Sequence, residues 1–202
     1  MSTPIAAVLT LTPDNPCNAT VCDVDGKALY TVYTEHGKAT VTYVANADEE
    51  VLASLEWHDT RPDRVTLGKG SPMSLRDWMH FSPIPFKDDV TFKDGSGRKY
   101  KWRGNSPGRA LELFAEDDGF KEPISRFFKS RKDHKTGKLE SAQLAFTARA
   151  LEIRDTVIMS FLFLEKGRRV NENTSQNVGD VLGAPPLGAV MGVNSRLHNG
   201  GV

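Results

Sequence analysis

Cysteine is nearly absent: Cys17 and Cys22 are the two thiols in 202 residues. So small a number excludes a disulfide framework as the source of stability. Their spacing is compatible with a small loop bridge, although two free thiols in a reducing cytoplasm is the expectation. A C-x4-C pair with no second pair is a poor zinc signal, and no metal or other cofactor is expected. Net charge is absent too, with Lys+Arg 26 against Asp+Glu 26. The chain therefore has no global field to draw in a polyanion, and no nucleic-acid partner is expected, whereas a local patch stays open. Long apolar runs are missing as well. The most apolar stretch, Val157–Leu164, falls far short of the ~20 residues that cross a bilayer. The amino terminus, M-S-T-P-I-A-A-V-L-T, has no basic region before its mild apolar stretch, so a signal peptide is not expected and a cytoplasmic location is. Two catalytic signatures are also lacking. No serine lies in a G-x-S-x-G elbow, and Leu67-Gly-Lys-Gly-Ser-Pro72 does not match the phosphate-loop frame.

What is present is a series of short strand signals separated by turn chemistry. The clearest is a hairpin of alternating threonine, tyrosine and β-branched residues, Ala28–Thr34 and Ala39–Ala45, turning at His36-Gly37. Further strands are expected at Ala6–Thr12, Ala19–Asp23, Val51–His58, Arg64–Leu67, Val90–Phe92, Lys99–Arg103, Arg109–Ala115, Ile124–Lys129 and Ala142–Thr147. Ser74 ahead of Leu75-Arg-Asp-Trp78 reads as one capped helical turn. About ten such strands argue a mainly β fold, a barrel or sandwich. After Arg169 the composition shifts to Asn, Gly, Ser and Pro. The expected division is a β domain over residues 1–170 and a flexible tail over 171–202, with a mildly apolar stretch at Val181–Val193.

Everything else is arranged around Asp155–Arg169. Between Val157 and Leu164 only Ser160 is not apolar, so no face of the segment can be left to water. A buried helix and a buried strand read alike here. The ends favour a helix: Asp155 can cap the first turn, and Lys166, Arg168 and Arg169 suit a helix C-terminus, with Gly167 as a weaker cap. Val157, Ile158, Phe161, Leu162 and Leu164 are the expected core positions. Trp57, Trp78 and Trp102 read as core packing, each indole N–H needing a partner.

Several phrases in order carry a resemblance: Ala53-Ser-Leu-Glu-Trp-His58, Leu75-Arg-Asp-Trp78, Gly97-Arg-Lys-Tyr-Lys-Trp102, Ala142-Gln-Leu-Ala-Phe-Thr147, Leu151-Glu-Ile-Arg-Asp155 and Glu165-Lys-Gly-Arg-Arg169. Over roughly residues 5–169 the chain resembles a domain-of-unknown-function family of mushroom-forming fungi. That family is in turn similar to the tubby C-terminal, LURP-one and phospholipid-scramblase group. The resemblance implies a closed or nearly closed antiparallel β-barrel around a buried hydrophobic C-terminal helix. It also brings in phosphoinositide-binding and membrane-lipid-linked relatives, none of whose ligand residues align onto this chain.

Three functions follow as expectations. The first is a non-enzymatic intracellular barrel that binds an anionic lipid headgroup, at the membrane periphery, through the basic run Lys129, Arg131, Lys132, His134, Lys135 and Lys138. Each such cation near an anionic surface contributes about 1 kcal/mol. Lys99, Lys101 and Arg103 alternate on one strand face and would extend that surface if adjacent. The bland reading of the run is a solvated hairpin loop. The second function is a protein-interaction module docking through the tail. The third is an enzyme with a site around Glu56, His58 and Asp59; Glu56 and His58 point to one side of a strand, a spacing that can ligate a metal if His36 and His80 join them. A strand-end polar pair is the ordinary explanation of the same residues. Oligomeric state is not set by the sequence.

Overall fold

The computed structural model describes residues 4–84, 87–106, 108–133, 135 and 137–183, with the backbone alone beyond Glu172. In chain order the elements are β1 (Ile5–Thr12), β2 (Ala19–Cys22), β3 (Ala28–His36), β4 (Thr40–Asn46), β5 (Val51–Glu56), β6 (Arg64–Leu67), β7 (Met73–Ser74) and α1 (Leu75–Trp78). There follow β8 (His80–Phe81), β9 (Val90–Lys93), β10 (Lys99–Arg103), β11 (Glu112–Ala115), β12 (Pro123–Phe128), β13 (Arg131–Lys132), β14 (Leu139–Glu140), β15 (Ala142–Thr147), α2 (Ala148–Leu151) and α3 (Arg154–Gly183).

The fold is mainly β. Thirteen strands form one antiparallel sheet in the order β7-β6-β5-β4-β3-β2-β1-β15-β12-β11-β10-β9-β8, and β13 and β14 form a separate two-stranded ladder. Two meanders, β1–β7 and β8–β12, are joined through β15, which pairs with β1 on one side and β12 on the other. The strands alternate as a sheet with one apolar face should. In β10, Tyr100 and Trp102 are fully buried while Lys99, Lys101 and Arg103 point the other way.

Several expectations are corrected. The strands are more numerous than about ten, because the two-residue pairings β7, β8, β13 and β14 carry no sequence signature. The ring of strand pairings is not closed: β7 and β8 are the two ends of the sheet. The strand expected over Val51–His58 stops at Glu56, since the N–H of His58 is taken by Asp63 Oδ1 at 2.9 Å. The Arg109 strand starts only at Glu112. Ser74 does cap α1, its hydroxyl accepting from the N–H of Arg76.

The apolar segment is helical and continuous in α3. Val157, Ile158, Phe161 and Leu162 are fully buried, with Leu164 nearly so. Gly167, Arg168 and Arg169 do not end the helix; it continues to Gly183, past the boundary expected at 170/171. Residues 184–202, and with them most of Val181–Val193, lie outside the described residues. No helix among the described residues is long and apolar enough to cross a membrane.

Polar contacts fix α3 at three levels. Near its start, Tyr30 Oη donates to Asp155 Oδ1 at 2.5 Å and accepts from Arg154 Nε at 2.7 Å. Burial, reinforced by Asp155, raises the Tyr30 hydroxyl well above its ordinary pKa. Midway, the buried Ser160 accepts from Trp102 Nε1 at 3.0 Å and donates to the Val157 carbonyl. The one polar residue of the apolar run and one of the three tryptophans therefore satisfy each other. The Phe161 ring lies 4.5 Å from that of Phe127. Trp57, just past the end of β5, donates to Thr42 Oγ1 and lies under the Lys166 ammonium.

Candidate functional site

The third level of contact forms one wall of a large cavity. The carboxylate of Glu165, fully buried, accepts from Arg168 Nε at 2.7 Å and Arg169 Nε at 2.8 Å. These pairs are i,i+3 and i,i+4 on one helix, spacings that bring side chains together. Arg168 then donates to the carbonyl of Arg109 at 2.7 Å. Arg169 donates to both the carbonyl and the carboxylate of Asp14. Asp14 in turn accepts from the N–H and hydroxyl of Ser130, at 3.0 and 2.6 Å. Burial pushes the Asp14 carboxyl up, but the hydrogen bonds from Ser130 and Arg169 outweigh it and its pKa is lowered. Buried charges need such complete pairing. The effect is to tie α3, the β1–β2 loop and the start of the basic hairpin into one rigid frame.

Against that frame lies a cavity of about 950 Å³. Lys129, Arg131 and Lys138 line it from the basic hairpin, Arg109 from the loop before β11, and Arg168 from α3. Glu140 and Glu172 are its acidic members, and Phe127, Phe128 and Leu139 its large apolar ones. Three of the cations at the rim are already in ion pairs: Arg131 with Glu140 at 2.5 Å, Lys129 with Glu172 at 3.2 Å and Arg109 with Asp88 at 3.8 Å. The Arg131 side chain is 78% exposed and that of Lys129 51%. Pairs this wet are worth about 0–1 kcal/mol, so an incoming anion competes with the carboxylates of Glu140 and Glu172 at little cost. Arg168 is different. Its charge is committed to Glu165, and it serves as fixed wall.

The expected site residues therefore divide. Lys129, Arg131 and Lys138 come together at the cavity, while Lys132 and Lys135 are exposed and do not line it. His134 lies outside the described residues. Lys99, Lys101 and Arg103 do not line the cavity either. Lys99 pairs with Glu116 at 3.8 Å and Lys101 with Asp89 at 3.7 Å. Lys101 and Arg103 also sit over the rings of Phe120 and Phe114. Glu56 and His58 face each other, Nε2 to Oε1 at 3.4 Å, while Asp59 is exposed. None of the three lines that cavity. His36 bonds Thr40 instead, and among the described residues no group of three or more His, Cys, Asp or Glu could hold a metal ion.

Sequence reasoning missed Arg109, Glu140, Glu172, Thr10 and Gln143 as cavity residues, and took Arg168 for a helix-end charge. The signal for Arg168 was present: a carboxylate three and four residues ahead of two arginines, on a helix with no wet face.

No curated protein sequence matches this chain. Among solved structures, an X-ray structure of a protein from Arabidopsis thaliana superposes with a TM-score of 0.47 at 15% identity, covering 78% of this chain and 91% of that one. A family model does match, over residues 14–170, from Asp14 of the buried frame to the residue after Arg169. The chain belongs to the family of unknown function DUF6593.

Proposed function

We propose that this protein is a binding module, not an enzyme, whose ligand is an anionic headgroup of the phosphoinositide kind held in the cavity beside α3. The observation that carries this reading is the placement of Lys129, Arg131, Lys138 and Arg109 around one concavity, with a wall fixed by the Glu165 frame. A positive cleft with low-dielectric walls concentrates anions, and the weak surface pairs at its mouth leave its donors exchangeable.

The same reading has an architectural part: the sheet curls nearly shut around α3, as in the tubby-like and LURP-one-like barrels that the family, with its mushroom-type members, resembles. Two facts support it. The end strands β7 and β8 are joined by α1, a single helical turn, and the extended Met79, so the connection between the two edges is short. Inward residues from both meanders, Leu55 and Val65 from one and Phe92 and Trp102 from the other, share one cluster with Val157–Leu164. We place the protein in the cytoplasm, peripheral at membranes.

Liposome flotation tests the headgroup reading. Vesicles containing phosphoinositide should carry the protein upward and neutral vesicles should not. Lys129→Glu with Lys138→Glu should abolish flotation, and Lys132→Glu with Lys135→Glu should only weaken it. Flotation that survives the first pair would remove the cavity from the account.

A further inference from the structure

The outer face of the sheet continues the candidate site beyond its rim. On β1, β15 and β12 two successive cross-strand rows align there: Thr10, Gln143 and Phe128, then Val8, Ala145 and Arg126. Rows two residues apart on one face are about 6.8 Å apart. All three members of the first row line the cationic cavity. The second row belongs to a separate groove of about 360 Å³, whose apolar walls include Ile5, Val8, Pro123 and Ala145. Phe128 and Gln143 line both spaces, so the groove begins where the cavity ends. Arg126 and Glu122 are the charged members of the groove's lining, and Arg126 is paired with Glu112 at 2.5 Å. Phe128 and Ile5 are 48% and 56% exposed, large apolar side chains left to water next to a cluster of cations. Contiguous exposed apolar surface of this kind marks a contact site.

We propose that the two spaces hold one ligand, an anionic amphiphile. Its head sits among Lys129, Arg131 and Lys138, and its alkyl chain crosses Phe128 into the groove of Ile5, Val8 and Ala145. The inference rests on the anion-binding reading above. Charge complementarity places the head, and the shared Phe128–Gln143 wall gives the chain its path. A free phosphate would use only the first space, and a neutral alkyl chain only the second.

Calorimetry on the full chain separates these cases, using inorganic phosphate, dodecyl phosphate and dodecyl maltoside below their micellar concentrations. Dodecyl phosphate should bind more than about tenfold tighter than phosphate, since sheltering even two methylenes is worth that much. Dodecyl maltoside should bind far more weakly. Val8→Trp, which fills the groove, and Ile5→Asp, which puts a charge at an exposed position of its wall, should each cancel the alkyl advantage and leave phosphate binding unchanged. Lys129→Glu should weaken both anions. Equal affinities for phosphate and dodecyl phosphate would overturn the amphiphile and leave the headgroup reading standing. Dodecyl maltoside binding as tightly as the phosphate ester would overturn it in favour of a bare apolar patch. Displacement of bound phosphate by a hexaglutamate peptide but not by dodecyl phosphate would overturn it in favour of a protein ligand. Failure of every anion to bind would remove both readings together.

Discussion

Glu165→Gln isolates the charge at the centre of the buried frame while keeping the side chain's shape. In the folded protein the carboxylate is fully buried and the Arg168 side chain only 4% exposed, so neither can recover water when its partner is neutralised. Removing one member of such a pair strands the other and costs about 3–5 kcal/mol, a large share of a total stability of ~5–15 kcal/mol. With a urea slope of roughly 2 kcal/mol/M, the unfolding midpoint should fall by about 1.5–2.5 M at constant slope. Arg131→Ala provides the contrast, because the Arg131–Glu140 pair lies in solvent and should cost less than about 1 kcal/mol. The decisive companion is Glu165→Leu with Arg168→Met. An apolar replacement of both charges leaves no stranded ion, and Arg169 keeps Asp14, so most of the loss should return. A Glu165→Gln midpoint within 0.5 M of wild type, roughly 1 kcal/mol, would refute the reasoning, because it would mean that water reaches the cluster.

Three further outcomes follow from the same packing. Ser160→Ala leaves the fully buried Trp102 indole N–H without an acceptor, and urea unfolding should register a loss of about 1–3 kcal/mol; a loss below about 0.5 kcal/mol would mean the indole has another partner. Gly167→Ala should stabilise the protein by about 0.5–1 kcal/mol, because the residue is inside a helix and an added Cβ meets nothing within 4 Å. Its melting temperature should rise by about 2–4 °C, and a fall would count against a continuous helix there. Asp94 gives a pH signature. Burial pushes its carboxyl up, yet hydrogen bonds from Ser96 and Arg98 win and hold the pKa at about 2, against an ordinary 3.8. With the folded pKa depressed, its contribution is complete above pH 3.8 and is lost as pH falls through about 2. Asp94→Asn should flatten the acid limb of the stability profile in that window, and an unchanged limb would show that the carboxylate is not held.

The repetitive parts of the architecture were legible because they obey period-two alternation. The β3–β4 hairpin follows directly from threonine, tyrosine and β-branched spacing, and β10 from the alternation of Lys99, Lys101 and Arg103 with Tyr100 and Trp102. Strands of two residues have no period to read, so β7, β8, β13 and β14 were invisible. Helix α3 was recognisable as core because its middle has no polar face. Its far end was misjudged because cations that suit a helix terminus suit equally well a mid-helix carboxylate. The distinction depends on whether Glu165 is buried, and burial is a property of what packs around it. The cavity suffered the same limit: Arg109, Thr10 and Gln143 lie far apart in the chain, and only the β1–β15–β12–β11 strand order brings Thr10, Gln143 and the loop carrying Arg109 to one place.

The buried frame also couples stability to the proposed binding cavity. Arg168 is a wall of the cavity and a member of the buried frame. Ser130, at the base of the basic hairpin, is held by Asp14, which is held by Arg169. The hairpin cations are therefore exposed and exchangeable at their tips but anchored at their root. A site built this way need not order its backbone when an anion arrives, which removes part of the entropic cost of binding. Damage to the frame should then loosen the cavity before the sheet unfolds. In Glu165→Gln, amide exchange ought to quicken first at Ser130 and Arg131, with the central strands β1 and β15 protected until global unfolding. Simultaneous loss of protection in the hairpin and in β15 would mean that the frame supports the whole fold and has no special relation to the cavity.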